Sequence, residues 1–440
     1  MSGLSLGLIA LAITLTLLVL RVHIGITMLV GGAACFWAVN DGDLSALLFT
    51  LNNLVYSRLS NYDLAVIPLF VLMGQFATHG GLSRAIFRCA AAFIGHWRGG
   101  MGMSAIGACA GFGAICGSSL ATSATMSHVA LPELRRYNYS GRLATATVAA
   151  GGTLGILIPP SVPLIIYAVL TQESIASLFV AAVVPGLIAV VGYMLVLRIM
   201  VAREGHHEHE QAKASPTERL KAFASVVPVI GVFIVVIVGI YGGWSNPTEA
   251  ASIGAAACGL LAIFQGGMRW AGVRASLLGT AETTAMIFLV LLGADLLNSG
   301  LALTQMPAEL AAWVLDSGLQ PMLVLIAILL LYLVLGMVMD SLAMILLTIP
   351  IFYPVIMGLD FFGMSQVDKS IWFGILALMV VEIGLITPPM GMNLLIVQRT
   401  AGNVPLMETA RGVIPFLCSD LLRIVLLVAF PGLSLWLLSL

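Results

Sequence analysis

Long apolar runs, separated by short polar or glycine-rich seams, recur from one end of this chain to the other. Runs near 4–20, 24–40 and 64–79 approach or reach the roughly 20 residues that a membrane-spanning helix needs. A partly amphipathic arm follows at 82–97. Two shorter runs, 100–116 and 120–133, meet at Gly117-Ser118-Ser119. The second is too short to span a bilayer, which predicts a re-entrant hairpin. A run over 142–170 is interrupted at Gly155 to Pro160, and 176–200 closes the first half. The order then returns, with runs near 222–240, 247–265 and 281–298 and an arm at 303–318. A second pair, 322–338 and 342–357, meets at Asp340-Ser341, an interrupted run covers 371–398, and a last span lies at 412–436. Residues 203–221 are the long polar run between the halves. The division is therefore 1–202 as a first repeat, 203–221 as a linker and 222–440 as a second repeat.

The repetition extends to letters. FVLMGQFATHGGL (70–82) aligns with LVLLGADLLNSGL (289–301), superposing Gly74 on Gly293 and Gly81 on Gly300. Ser119-Leu120-Ala121 aligns with Ser341-Leu342-Ala343, and Gly155-x3-Pro159-Pro160 aligns with Gly384-x3-Pro388-Pro389. Glycine and proline are frequent in membrane helices, so one match is weak; three in the same order mark a duplication. Each half holds five spans and a hairpin that returns to its own side. An odd number of crossings turns the second half upside down.

Charge tests that inversion independently, because cytoplasmic loops carry an excess of Lys and Arg. With the linker cytoplasmic, sixteen of the nineteen basic residues fall in inside loops; the exceptions are Arg58, Lys369 and Arg423. Both termini are then periplasmic, the first hairpin opens inward and the second outward. Composition agrees: 60% of residues are hydrophobic and 9% charged, against about 25% charged in soluble chains. The first run is preceded by no Lys or Arg and followed by Arg21, the wrong polarity for a secretory signal, so it is kept as a span. The net charge of −1 gives no reason to invoke nucleic acid. The six cysteines (35, 89, 109, 116, 258 and 418) form no CxxC pair and read as packing thiols. A Walker motif, a dinucleotide loop, zinc-ligand spacing and a nucleophile–base pair are all lacking, so the chain is expected to be neither an ATPase nor another enzyme.

Helices broken at membrane depth expose backbone groups that lipid cannot satisfy, and they persist where they line a cavity or hold a ligand. Matching breaks in inverted repeats are the mark of secondary transporters that bind near the bilayer midplane. Helix C-termini there present carbonyls suited to Na⁺, and N-termini present N–H groups suited to an anion.

The same segments carry a resemblance. GAICGSSLATSATMSHVALPEL, GTLGILIPPSVPLIIYA, SLFVAAVVPGLI, MDSLAMILLTIPIFYPV and EIGLITPPMGMNLLIV closely resemble the large membrane subunit of tripartite ATP-independent periplasmic (TRAP) transporters. The resemblance covers nearly all of the chain except 203–221. It implies the elevator-type architecture of the ion-transporter superfamily: an all-α polytopic protein of two inverted repeats, each with a re-entrant hairpin and a broken transmembrane helix. It also implies a Na⁺-coupled importer of an organic acid in the bacterial inner membrane. A periplasmic binding protein would deliver substrate, and a separate small four-helix membrane subunit would flank the scaffold. Cys116 stands where the family pattern leads us to expect a small hydroxyl residue, so no side-chain ligand is assigned there.

On this reading two or more Na⁺ ions are held by Gly117, Ser118, Ser119, Gly155 and Pro159 in the first repeat. Asp340, Ser341, Gly384, Thr387 and Pro388 do so in the second. Ser119, Thr122, Pro160, Ser161, Pro389 and Asn393 are assigned to substrate. The plainer alternative for the hairpin glycines and serines is close helix packing. A carboxylate amid apolar residues, as at Asp340, costs roughly 2.5–3.5 kcal/mol on insertion scales and is functional by default. Glu382, Asp295 and Glu282 read as helix-end or interface carboxylates, His128 as a helix-terminus partner, and Arg135 and Arg136 as topology determinants. The HHEHE run at 206–210 has metal-like composition inside a solvated linker. The alternative function is a stand-alone ion-coupled anion or dicarboxylate transporter needing no binding protein; an anion channel has no need of two inverted, gated breaks.

Overall fold

A computed structural model describes residues 3–20, 22–204, 212–389 and 391–438, and every regular element among them is helical. Arg21, the 206–210 run and Met390 lie outside the described residues. The chain opens with α1 (Gly3–Val19) and α2 (Ile24–Val39), then α3 (Ser45–Leu59), which the apolar pattern did not predict. After a short 3-10 turn α4 (Val66–His79) continues α3 at a bend of 59°, and α5 (Leu82–Ile94) is the expected arm. The first hairpin is α6 (Gly100–Cys116) and α7 (Ser119–Arg136). The first broken span is α8 (Gly141–Leu157) with α9 (Val162–Thr171), and α10 (Ile175–Glu204) follows.

In the second half, α11 (Pro216–Tyr241) and α12 (Pro247–Phe264) precede α13 (Trp270–Leu303), which is far longer than the expected 281–298. Then come α14 (Met306–Asp316), the second hairpin α15 (Pro321–Gly336) and α16 (Ser341–Gly358), and the second broken span α17 (Gln366–Ile386) with α18 (Met392–Ala401). The last long helix, α19 (Leu406–Ala429), starts earlier than the apolar run because Glu408 and Arg411 ride on its first turns; α20 (Gly432–Leu435) follows. The polar linker is also shorter than 203–221. Ser215 and Glu218 form a reciprocal capping box that starts α11 inside it.

The halves exchange partners. α2 packs along α13, and its counterpart α12 packs along α4. Small residues permit both seams: a Cβ at Gly32 would lie 2.7 Å from the backbone of Leu296, and one at Gly80 2.5 Å from Ala262 Cβ. The broken spans exchange as well, with α9 against α16 and α18 against α7. All side chains from Leu143 to Leu157 in α8 and from Lys369 to Ile386 in α17 are buried. These two helices are the axis of the molecule; α1, α3 and α11 show much of their apolar surface on the outside.

Among the described residues, eight helices or helix pairs qualify by length and composition as membrane spans, nine with the bent α3–α4 pair. α16 is one of them, whereas α7, which is equally long and so longer than the apolar run 120–133 predicts, is left out by its polar composition. Both nevertheless start at the centre of the molecule, as the site shows.

Candidate functional site

Each hairpin tip is made by a residue that cannot continue the helix. At the first, Gly117 takes φ +63, a left-handed turn that favours glycine. Ser118 then turns extended and caps α7, accepting from Ala121 N at 3.4 Å. The Gly117 carbonyl accepts from Val162 N at 3.3 Å, joining this tip to its own break. At the second tip Asp340 holds the N-cap position of α16. Its carboxylate faces the Leu342 and Ala343 N–H groups. Ser118 and Asp340 thus occupy equivalent positions, one neutral and one acidic.

The two tips meet. Gly117, Ser118, Ser119, Asp340 and Ser341 line one cavity of about 250 Å³, with Gln75 and Thr78 of α4 and Thr283 of α13 on its other wall. A second cavity of about 300 Å³ continues from Asp340 past Met286 to Met392 at the start of α18. Gly74, aligned by letter with Gly293, abuts this chamber: a Cβ there would lie 3.1 Å from Cys116 Cα. Gly293 instead packs against the Gly25 carbonyl, so that letter match does not carry a common role.

The breaks differ from expectation in position. Gly155 and Gly384, predicted at the breaks, are helical residues of α8 and α17; the chain leaves the helix only at Ile158 and Thr387. Their lack of a side chain serves packing instead. A Cβ on Gly113 would stand 2.5 Å from Gly155 Cα, and one on Gly384 2.6 Å from Gly336 Cα, so each hairpin lies backbone to backbone on its broken span. The Pro159–Pro160 and Pro388–Pro389 bonds, both cis, follow.

Oxygen atoms crowd the junction of the first tip and the first break. The ideal Cβ position of Gly155 lies 2.4 Å from Thr122 Oγ1 and 2.8 Å from the Ser118 carbonyl; that of Gly117 lies 2.8 Å from the Pro160 carbonyl. Ser119 Oγ, Ser161 Oγ and both amide atoms of Asn393 are fully buried without a hydrogen-bond partner. Thr122, equally buried, faces the Cys116 thiol. Leaving a buried donor or acceptor unsatisfied costs about 1–3 kcal/mol, so these groups call for a ligand. Thr387 is different, since its hydroxyl donates to the Ile383 carbonyl at 2.6 Å and its lone pairs alone remain available.

Several of the other charged candidates have structural partners, whereas Glu382 is buried with neither carboxylate oxygen hydrogen-bonded. Arg58 of the unpredicted α3 grips Asp295 at 2.5 and 2.6 Å. Arg135 donates to the Ala401 carbonyl, fastening the first hairpin to the end of α18. Arg136 lies 4.0 Å from Glu133, and His128 and Glu282 are exposed. Lys369, counted against the charge rule, donates to the Met357 and Leu359 carbonyls at the end of α16. The described residues hold no cluster of three or more His, Cys, Asp or Glu placed to bind a metal, and all six cysteines are free thiols.

Comparison with known proteins follows this geometry. The family model described as "Tripartite ATP-independent periplasmic transporter, DctM component" matches residues 11–433. The chain is 33% identical over 402 residues to the C4-dicarboxylate TRAP transporter large permease of Pseudomonas aeruginosa, covering 90% of this chain and 92% of that protein. It is 32% identical to the sialic acid TRAP transporter large permease of Vibrio cholerae, with 86% of each covered. Among solved structures, the Alcanivorax borkumensis YdaH transporter is similar with a TM-score of 0.65 at 16% identity over 90% of each chain, a likeness of fold.

Proposed function

We propose a function from one premise: this chain belongs to the DctM component family of tripartite ATP-independent periplasmic transporters. It is a multi-pass membrane protein with a role in TRAP transport. On our reading it imports an organic acid across the bacterial inner membrane, drawing on the Na⁺ gradient. Relatives are named for C4-dicarboxylates, sialic acid, isethionate and 2,3-diketo-L-gulonate, whose common chemistry is a small organic anion.

One observation carries the ionic part of this reading: the Ser119 and Ser161 hydroxyls are buried without partners at a junction that also holds the Ser118 and Pro160 carbonyls, and Ser118 and Ser119 share one cavity with Asp340. Hard oxygen donors of this kind suit an alkali cation. Cations there would offset a substrate carboxylate, which the N–H groups at the starts of α9 and α18 and the Asn393 amide would meet. The matched hairpins and breaks, packed across halves, would move together against α2, α4, α12 and α13 as an elevator.

A periplasmic binding protein and a small membrane subunit complete the proposed system. Two relatives are longer than this chain, which spans 67% of a Haemophilus influenzae sialic acid permease and 59% of an Oleidesulfovibrio alaskensis isethionate permease. Such length leaves room there for a fused second subunit. Uptake of labelled organic acids into proteoliposomes is the test. Import should require Na⁺ outside and the binding protein. Uptake driven by a pH gradient in Na⁺-free buffer would reject the coupling, and equal uptake without binding protein would favour the stand-alone carrier.

A further inference from the structure

Away from the central chamber, the arm, the first hairpin and the start of the second repeat border a half-open cavity of about 800 Å³. It shares no lining residue with either central cavity, so it stands apart from the Na⁺-coupled reading. Its wall is basic. Arg84 and Arg88 stand four residues apart, on one face of α5. Arg136 comes from the end of α7 and Lys213 from just before α11. Against these four cations the described lining sets two carboxylates, Glu133 and Glu218, an excess of two positive charges.

The carboxylates leave that charge largely uncompensated. Glu218 is committed to the capping box, accepting from Ser215 N at 2.7 Å and from Ser215 Oγ at 2.9 Å. Glu133 reaches only Arg136, at 4.0 Å, and 77% of the Arg136 side chain is exposed. Among the described residues Arg84, Arg88 and Lys213 have neither an ion pair nor a side-chain hydrogen bond, and all three are exposed. Phe87, Ala91 and Met101, all buried, supply an apolar part of the same lining.

The neighbouring surface says which anion fits. Ala92 and Ala222 line the cavity, and the next residue on each helix, Phe93 and Phe223, is exposed; the two rings meet edge to face with centroids 6.4 Å apart. Trp97 beyond the arm and Leu220 on the first turns of α11 are exposed as well. Aromatic residues of this kind are enriched where a membrane meets water. A soluble anion needs the charge alone, whereas a phospholipid needs charge with an apolar flank beside it.

We propose that this cavity binds the headgroup of an anionic phospholipid, with Arg84, Arg88 and Arg136 on the phosphate oxygens and the acyl chains along Phe93 and Phe223. The planar guanidinium fork matches phosphate geometry, and basic pockets between membrane helices take such headgroups. The uncompensated charge selects against a zwitterionic lipid, whose amine would face the same arginines. A headgroup held there bridges α5 and α7 and so ties the first hairpin to the arm.

The test uses the full-length chain purified in detergent and titrated with phosphatidylglycerol, phosphatidylcholine or glycerol 3-phosphate. It is read as thermal stabilisation and as lipid retained in native mass spectrometry. Phosphatidylglycerol should stabilise the wild type and stay bound, and phosphatidylcholine should do so far less. Arg84→Gln with Arg88→Gln changes two exposed side chains and spares folding. It should weaken the phosphatidylglycerol response about tenfold or more, since each basic residue near anionic headgroups contributes separately. Arg98→Gln, equally exposed and outside the cavity, should leave the response unchanged. Equal responses to the two lipids, or an undiminished response in the double variant, overturn the proposal. A glycerol 3-phosphate response that matches phosphatidylglycerol and is lost in the double variant would assign the cavity to a soluble phosphate ester and overturn the lipid source. Every readout is one of binding, so failure here is separate from failure of the uptake experiments.

Discussion

The two hairpin tips are copies of one device built with different chemistry. The first is neutral and joined to its own break, through the hydrogen bond from Val162 N to the Gly117 carbonyl. The second carries Asp340, and among the described residues no backbone hydrogen bond ties it to Thr387, Pro388 or Pro389. Its turn, Met337 to Met339, is apolar, and Val338 is exposed. Duplication kept the geometry that brings two helix ends to one cavity and divided the roles. One tip offers uncharged oxygens in a fixed frame; the other offers a full charge on a less restrained loop.

The hardest blow to this comparison is removal of the acidic tip. Asp340→Ala should abolish Na⁺-dependent uptake, and wild-type rates in proteoliposomes would retire the assignment. Next in size are the glycines that let each hairpin lie on its broken span. Gly384→Ala drives a methyl group into the Gly336 backbone and Gly155→Ala into Thr122 and Ser118. Overpacking of this kind costs about 1–3 kcal/mol, read as a lower thermal midpoint. Gly231→Ala, where nothing lies within 4 Å, is the matched control and should change little.

Breaking the scaffold ion pair should cost about as much on a different readout. Arg58→Leu leaves Asp295 buried without its partner, a loss of about 1.5–3 kcal/mol for a hydrogen bond to a charged group. Asp295→Asn in the same chain should recover part of that stability, and no recovery would count against the pair. The smallest effect on stability is the most telling about function. Ser119→Ala removes a buried hydroxyl that bonds to nothing within the chain, so ligand-free stability should hold or rise slightly while Na⁺-dependent stabilisation shrinks. An equal fall in stability with and without Na⁺ would show that Ser119 serves packing.

Much of this arrangement was legible in the letters, because apolar run length and helix-breaking residues are local signals. The two hairpins, their tips and the order of elements follow from them. α3 leaves no clear apolar run because Asn52, Asn53 and Arg58 dilute its apolar face. The early turns of α13 were hidden by Arg274, Thr280 and Glu282, polar residues that a helix extending beyond the bilayer carries without penalty. Glycine weakens helices, so Gly155 and Gly384 read locally as breaks, but close approach to Gly113 and Gly336 is a property of two distant segments at once. For the same reason no local pattern reveals that α2 pairs with α13 or that Asp295 holds Arg58. One distant-looking pair is nonetheless local: Asp420 and Arg423 stand three apart on one helix, the spacing of a side-chain pair, and lie 2.8 Å from each other.

The exchange of α2 and α12 between halves bears on how such a protein comes into being. Half a chain emerging from the ribosome has laid down α2 and α4 before either of their lengthwise neighbours exists, so its glycine-lined seams must wait in lipid for α12 and α13. Maturation is then a docking of two late partners onto two early ones. The peptide bond between the halves is incidental to that docking: two half-length polypeptides, made together in one membrane, should assemble into the same particle, whereas either made alone should be cleared by proteolysis.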